Sequence, residues 1–151
     1  MRDAIGGLVN VQIILVFIVL VSGYLAFSVN YTKAFRVKNK IITAIEQNEG
    51  DISAATSDNG DLWNYIRQVG YNPSFSRNTQ ERIMDELGDG SACNVDLGFC
   101  YKENDFSTPT LTKKQYRVVT VISVDIPIIK QIMESINFFK VSGDTKTIII
   151  P

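Results

Sequence analysis

Residues 8–27 read LVNVQIILVFIVLVSGYLAF, twenty positions without a single charge. As a helix rising about 1.5 Å per residue, this stretch spans roughly 30 Å, the thickness of a bilayer's hydrocarbon core. No later segment repeats the pattern. One membrane helix carrying everything after it as a polar-faced body is therefore expected. A cleaved secretory signal has a basic start, an apolar run of about 7–15 residues and a small-x-small site. This run is longer, and no Ala-x-Ala site follows Ser22, Gly23 and Ala26, so a retained anchor is expected over residues 8–28. Residues 1–7, MRDAIGG, form a short leader or tail.

Two polar side chains, Asn10 and Gln12, sit just inside the apolar run. An unpaired amide in hydrocarbon is costly, so each faces a partner helix or lies at the interface. Ser22 and Ala26, four apart, provide small surface where helices approach closely.

A short leader ending in Gly, followed by an apolar helix with a polar residue five places on, resembles the type IV prepilin pattern. The resemblance implies cleavage by a prepilin peptidase after Gly7, leaving Leu8 first, with Gln12 where the family carries a Glu that pairs with a neighbour's free amine. Gln12 departs from that pattern, because an amide hydrogen-bonds an amine without neutralising its charge. The leader's Arg2 is also not adjacent to the Gly. Without cleavage, Gly6-Gly7 is only a flexible start.

Flanking charge and cysteines give opposite orientations. Lys33, Arg36, Lys38 and Lys40 follow the anchor, and only Arg2 precedes it. The positive-inside rule places such a cluster on the cytoplasmic headgroups. Cys93 and Cys100 are the whole cysteine complement, in SACNVDLGFC. A local disulfide suits them and requires an oxidising compartment; two separate buried thiols are the other reading. Structural zinc needs four ligands, and there is no His and no third Cys. Because long domains translocate with little regard to flanking charge, the cysteines decide for an extracytoplasmic body.

Beyond the membrane, Ala34, Val37, Ile41 and Ile45 fall at three- and four-residue steps, so the helix is expected to continue as an amphipathic extension over 29–49 and stop at Glu49-Gly50. The α+β body occupies 50–151. Residues 50–60 read as a loop. A helix capped by Asp61 carries Leu62, Tyr65, Ile66 and Val69 on one face. Asn78–Glu81 resembles a capping box opening a helix over 79–87. Strands are expected at 98–103, at 115–125 and within 138–150, the last interrupted by a Ser-Gly-Asp turn at 142–144. The 115–125 strand has two apolar faces, Val119/Val121 and Val118/Thr120/Ile122, and so belongs at a sheet's centre. Pro127 opens an amphipathic helix with Ile128, Ile129, Ile132, Met133 and Ile136 on one side. The sum is a small antiparallel sheet packed on helices.

A long apolar strand, the turn Asp125-Ile126-Pro127, an amphipathic helix and a closing Gly143-Asp144-Thr145 strand are similar to the TadE-type pseudopilins of tight-adherence pilus systems. That resemblance implies a pilin-like subunit that works by assembly, with copies of itself, other pilin-like subunits, the prepilin peptidase and an assembly platform as partners.

Catalytic signatures are missing. Without histidine there is no Ser–His–Asp or Cys–His site. No Walker-type or dinucleotide glycine motif occurs. A Ser–Lys dyad is compositionally possible, but no pair is placed. The acidic clusters Asp85/Glu86/Asp89 and Asp58/Asp61 match no EF-hand spacing. No enzyme activity, cofactor or metal is expected. Residues 41–151 carry ten Lys and Arg against fifteen Asp and Glu, a net of −5, which repels nucleic acid. The rival reading is a monomeric anchored binding module with Trp63, Tyr65, Tyr71 and Phe75 lining a ligand surface. A further one is a cytoplasm-facing regulatory subunit.

Overall fold

The computed structural model describes the backbone of residues 2–57, 60–71, 75–122 and 140–150, and the side chains of these from residue 9 onward. Helix α1 (Arg2–Gln47) is continuous for 46 residues, about 70 Å. It is long and apolar enough to cross a membrane. Its two halves differ in what touches them. From Val9 to Leu20 the apolar side chains are exposed. Ala34, Val37, Ile41 and Ile45 are 0% exposed, the stripe that the periodicity marks. The helix stops where Glu49 (φ 53°) and Gly50 (φ 87°) turn left-handed and the Gly50 N–H donates to the Ile45 carbonyl at 2.9 Å. A Cβ on Gly50 would stand 3.0 Å from the Tyr116 ring, a second reason for glycine there.

The 50–60 stretch is not wholly loop. Asp51 caps a short helix α2 (Ile52–Ala55), its carboxylate accepting from the Ala54 N–H. Helix α3 (Asp61–Val69) follows, with Gly60 at the cap and Asp61 in the first turn, where its charge suits the helix dipole. It runs antiparallel to α1: the Lys40 ammonium lies over the Tyr65 ring, and Lys33 Nζ donates to the Gly70 carbonyl. Helix α4 (Arg77–Leu87) starts two residues earlier than expected, because Ser76 and not Asn78 is the cap and accepts from the Thr79 N–H.

The strands are β1 (Ser91–Asn94), β2 (Phe99–Asp105), β3 (Thr112–Val121), β4 (Lys140–Asp144) and β5 (Ile148–Ile150). Among the described residues all the pairings are antiparallel, in the order β1-β2-β3-β4, with β5 alongside the start of β3. Long helix plus small antiparallel sheet makes the architecture α+β. Strand β3 is interior, as its two apolar faces require, although it begins at Thr112 rather than Gln115. Val118 and Ile122 pack in the cluster that contains the α1 stripe; Val119 and Val121 pack with Ile83 of α4 on the other face. The expected turn at Ser142–Asp144 is strand instead. The break falls at residues 145–147, where Thr145 leaves the ladder and its Oγ1 accepts the Tyr116 N–H at 2.9 Å. The helix expected after Pro127 lies outside the described residues.

Candidate functional site

The candidate site is α1 itself, bare along one half and buried in its own body along the other. On the bare half, Gln12, Ser22 and Ala26 fall within an arc of about 80° on an ideal helix, and Asn10 lies about 200° from Gln12. Helix geometry thus groups three of the four packing candidates and puts Asn10 on the opposite side. Asn10, Gln12 and Ser22 are exposed and Ala26 is half-buried. The helix passes through Gly6-Gly7 without a break.

The sheet clamps the second half. Thr120, fully buried, donates through Oγ1 to the Ala34 carbonyl at 3.1 Å. Gly143 of β4 lies so close to α1 that an added Cβ would meet Lys38 Nζ at 2.9 Å and Ile42 Cδ1 at 3.1 Å. Gly143, noted only as part of a motif in the sequence, therefore lets the sheet close onto the spine, while Thr145 of the same motif bonds Tyr116 within the sheet.

The four basic residues do not make one headgroup patch. Lys38 is buried at 8% exposure, with its ammonium 4.4 Å from the Phe35 ring centroid. Lys33 and Lys40 engage α3 on the other flank. Arg36 is exposed.

The four aromatic candidates for a ligand surface are dispersed. Tyr71 is buried; its hydroxyl lies 2.9 Å from the Val121 carbonyl and 3.0 Å from the Gly98 carbonyl, and accepts from the Val121 N–H at 3.1 Å. Burial pushes its phenol pKa well above the usual value. Trp63 packs partly on the main core, with the Arg67 guanidinium 5.0 Å from its ring. Phe75 packs on the second cluster. Tyr65 is half-exposed beneath Lys40.

Cys93 and Cys100 form a disulfide, directly opposite each other in the β1–β2 hairpin with Cα atoms 4.0 Å apart. They therefore tie the short edge strand β1 to its neighbour, and the link lies under α4. Among the described residues no group of three or more His, Cys, Asp or Glu is arranged to hold a metal. Comparison of the chain with protein-family models, with curated proteins and with solved structures finds no match.

Proposed function

We propose that this chain is a membrane-anchored, pilin-like structural subunit without enzyme activity, assembling through α1 into a type IV pilus-like or Tad-like filament or its base. One observation carries the reading: a single helix is bare and apolar for half its length and forms the spine of a small antiparallel sheet for the rest. A lone anchor has no need of rigid continuity between membrane span and body. A subunit that must hold its body at a fixed angle to neighbouring helices does. In lipid such helices associate through close packing and amide or hydroxyl bonds, which Ser22, Ala26 and Gln12 supply on one flank. Cleavage after Gly7 would expose a new amine on Leu8, making Gln12 the fifth residue of the processed chain.

The test compares wild type with Gln12→Leu in the native membrane. Membrane insertion should survive, while sedimentable assemblies fall by about tenfold, the equivalent of roughly 1.4 kcal/mol per contact. Wild-type intact mass should lack MRDAIGG. Normal assembly by Gln12→Leu would remove the role given to Gln12. An intact Met1 would remove the processing step.

A further inference from the structure

The charge-free part of α1 is longer than a hydrocarbon core requires. Residues 4–32, between Asp3 and Lys33, are 29 uncharged positions. As helix they rise about 43 Å, against roughly 30 Å of hydrocarbon and about 40–45 Å for a bilayer with its headgroup zones. The surplus at the body end is apolar and aromatic. Val29, Tyr31 and Phe35 are 55%, 44% and 42% exposed. Tyr31 stands between Phe27 and Phe35 in a ladder of rings, with centroids 6.3 and 6.5 Å apart. The Thr32 hydroxyl donates to the Ser28 carbonyl at 2.9 Å, so this turn of helix satisfies its own hydroxyl without water.

The body begins before the apolar run has ended. Phe27, the last residue of that run, packs against the main core, and Ala34 is fully buried where Thr120 bonds its carbonyl. Helix α1 is unbroken here, so no linker lifts the body off the span. Strand β3 runs antiparallel to α1, with Tyr116 beside Gly50 and Thr120 at Ala34. Phe99 pairs with Thr120, so the β1–β2 turn before Phe99 points toward the bare half of α1. Val95 lies on that turn and is 52% exposed; Asp96 beside it is exposed as well. The turn is held in place. The Tyr71 hydroxyl lies within hydrogen-bond distance of the Gly98 and Val121 carbonyls, and the Cys93–Cys100 disulfide closes the hairpin behind it.

We propose that the span-side end of the body is a lipid-contact surface, with Tyr31 and Phe35 of α1 and Val95 of the β1–β2 turn seated in the headgroup zone of the membrane that α1 crosses. The occupant is phospholipid because the surface continues the span without a break. Hydrocarbon that covers the apolar run up to Phe27 brings headgroups to the level of Val29–Phe35. A ring with a polar tip, such as Tyr31, is favoured at that boundary. Arg36, exposed and next to Phe35, stands at the height of the phosphates, which a guanidinium binds in bidentate fashion. Asp96 keeps the turn at headgroup depth, since a carboxylate in hydrocarbon is costly. The body is thus seated on the bilayer rather than carried above it on a stalk. This rests on α1 spanning a membrane and holds whether or not copies assemble.

Because Cys93 and Cys100 are bonded to each other, one introduced cysteine is the only free thiol. Full-length Ile14→Cys, Phe35→Cys, Val95→Cys and Phe106→Cys variants, all at exposed positions, each take an environment-sensitive fluorophore and are reconstituted in phosphatidylcholine vesicles. The vesicles carry a nitroxide either on the headgroup or deep in the acyl chain. Labels at 35 and 95 should lose fluorescence to the headgroup nitroxide, the label at 14 to the deep one, and the label at 106 to neither. Quenching at 14 without headgroup quenching at 35 or at 95 means a body standing off the bilayer and overturns the proposal while leaving the anchor. Headgroup quenching at 106 as strong as at 95 means a body lying flat, which also overturns it. No quenching at 14 removes the membrane span and this surface with it.

Discussion

At the scale of single residues, buried polar groups with one specific partner set the sharpest expectations. Thr145 Oγ1 is the acceptor for the Tyr116 N–H, and both residues are buried. Thr145→Val keeps the shape and removes that acceptor, leaving a buried donor unsatisfied at a cost of about 1–3 kcal/mol. Denaturant midpoints of the detergent-solubilised protein, followed by Trp63 fluorescence, measure it; an unchanged midpoint refutes the assignment. Tyr71 and Tyr116 set an alkaline limit. Burial and then the nearby Glu103 carboxylate push the Tyr116 phenol up to about 12, and burial raises Tyr71 as well. A free phenol ionises near about 10, so the unfolded chain loses these protons first. Their contribution to stability is complete below pH about 10; the Tyr116 part is lost as pH rises through about 12, and the Tyr71 part persists to higher pH. Unfolding against pH should steepen in that window, and Tyr71→Phe combined with Tyr116→Phe should flatten it. An equally steep alkaline transition in the double variant would assign it to other groups.

At the scale of elements, what was legible in the sequence is what depends on period. Ala34, Val37, Ile41 and Ile45 declare a buried stripe because a helix brings every third and fourth residue to one side. Val118 and Val119 together declare an interior strand because a strand sends neighbours to opposite faces. What the sequence hides depends on partners remote along the chain. Ser142–Asp144 has turn composition, yet it pairs with residues 117–119 of β3 because Gly143 fits against Lys38 and Ile42. Lys38 looks like a solvated cation and is buried by the same approach. Tyr71, readable as a surface aromatic, is claimed by backbone groups of Gly98 and Val121. Ser76 and Asp51 are caps that compete with equally good neighbours, and only the chain's route selects between them. The division of α1 makes its own prediction. Ile41→Ala should cost the body about 2–5 kcal/mol, as for other fully buried truncations. Ile14→Ala, on the bare half at 57% exposure, should leave the body's denaturation midpoint unchanged. Equal effects would mean that the membrane half contributes to the body's core. Replacing Cys93 and Cys100 together by Ala should cost about 2–3 kcal/mol by loop-closure entropy, read the same way.

At the scale of the whole molecule the open contest is orientation, since flanking cations and cysteines disagree. The fold weakens the cations' side of it. The positive-inside rule presumes that flanking Lys and Arg are available to lipid headgroups and to the insertion machinery. In the folded chain Lys38 is enclosed against Phe35, Lys33 reaches Gly70 and Lys40 lies over Tyr65, so three of the four serve the junction between spine and body. Only Arg36 is left exposed. The cluster then has a folding reason to exist, independent of topology. The disulfide has no comparable second explanation, because a reducing cytoplasm would not maintain it. The body should therefore lie outside. Intact cells treated with a membrane-impermeant protease should lose the body, while a cytoplasmic control protein survives. Rapid acid quenching followed by alkylation should find no free thiol at Cys93 or Cys100. A protected body with two alkylatable thiols would reverse the orientation and, with it, the assembly reading, because a filament cannot grow outward from subunits whose bodies face the cytoplasm.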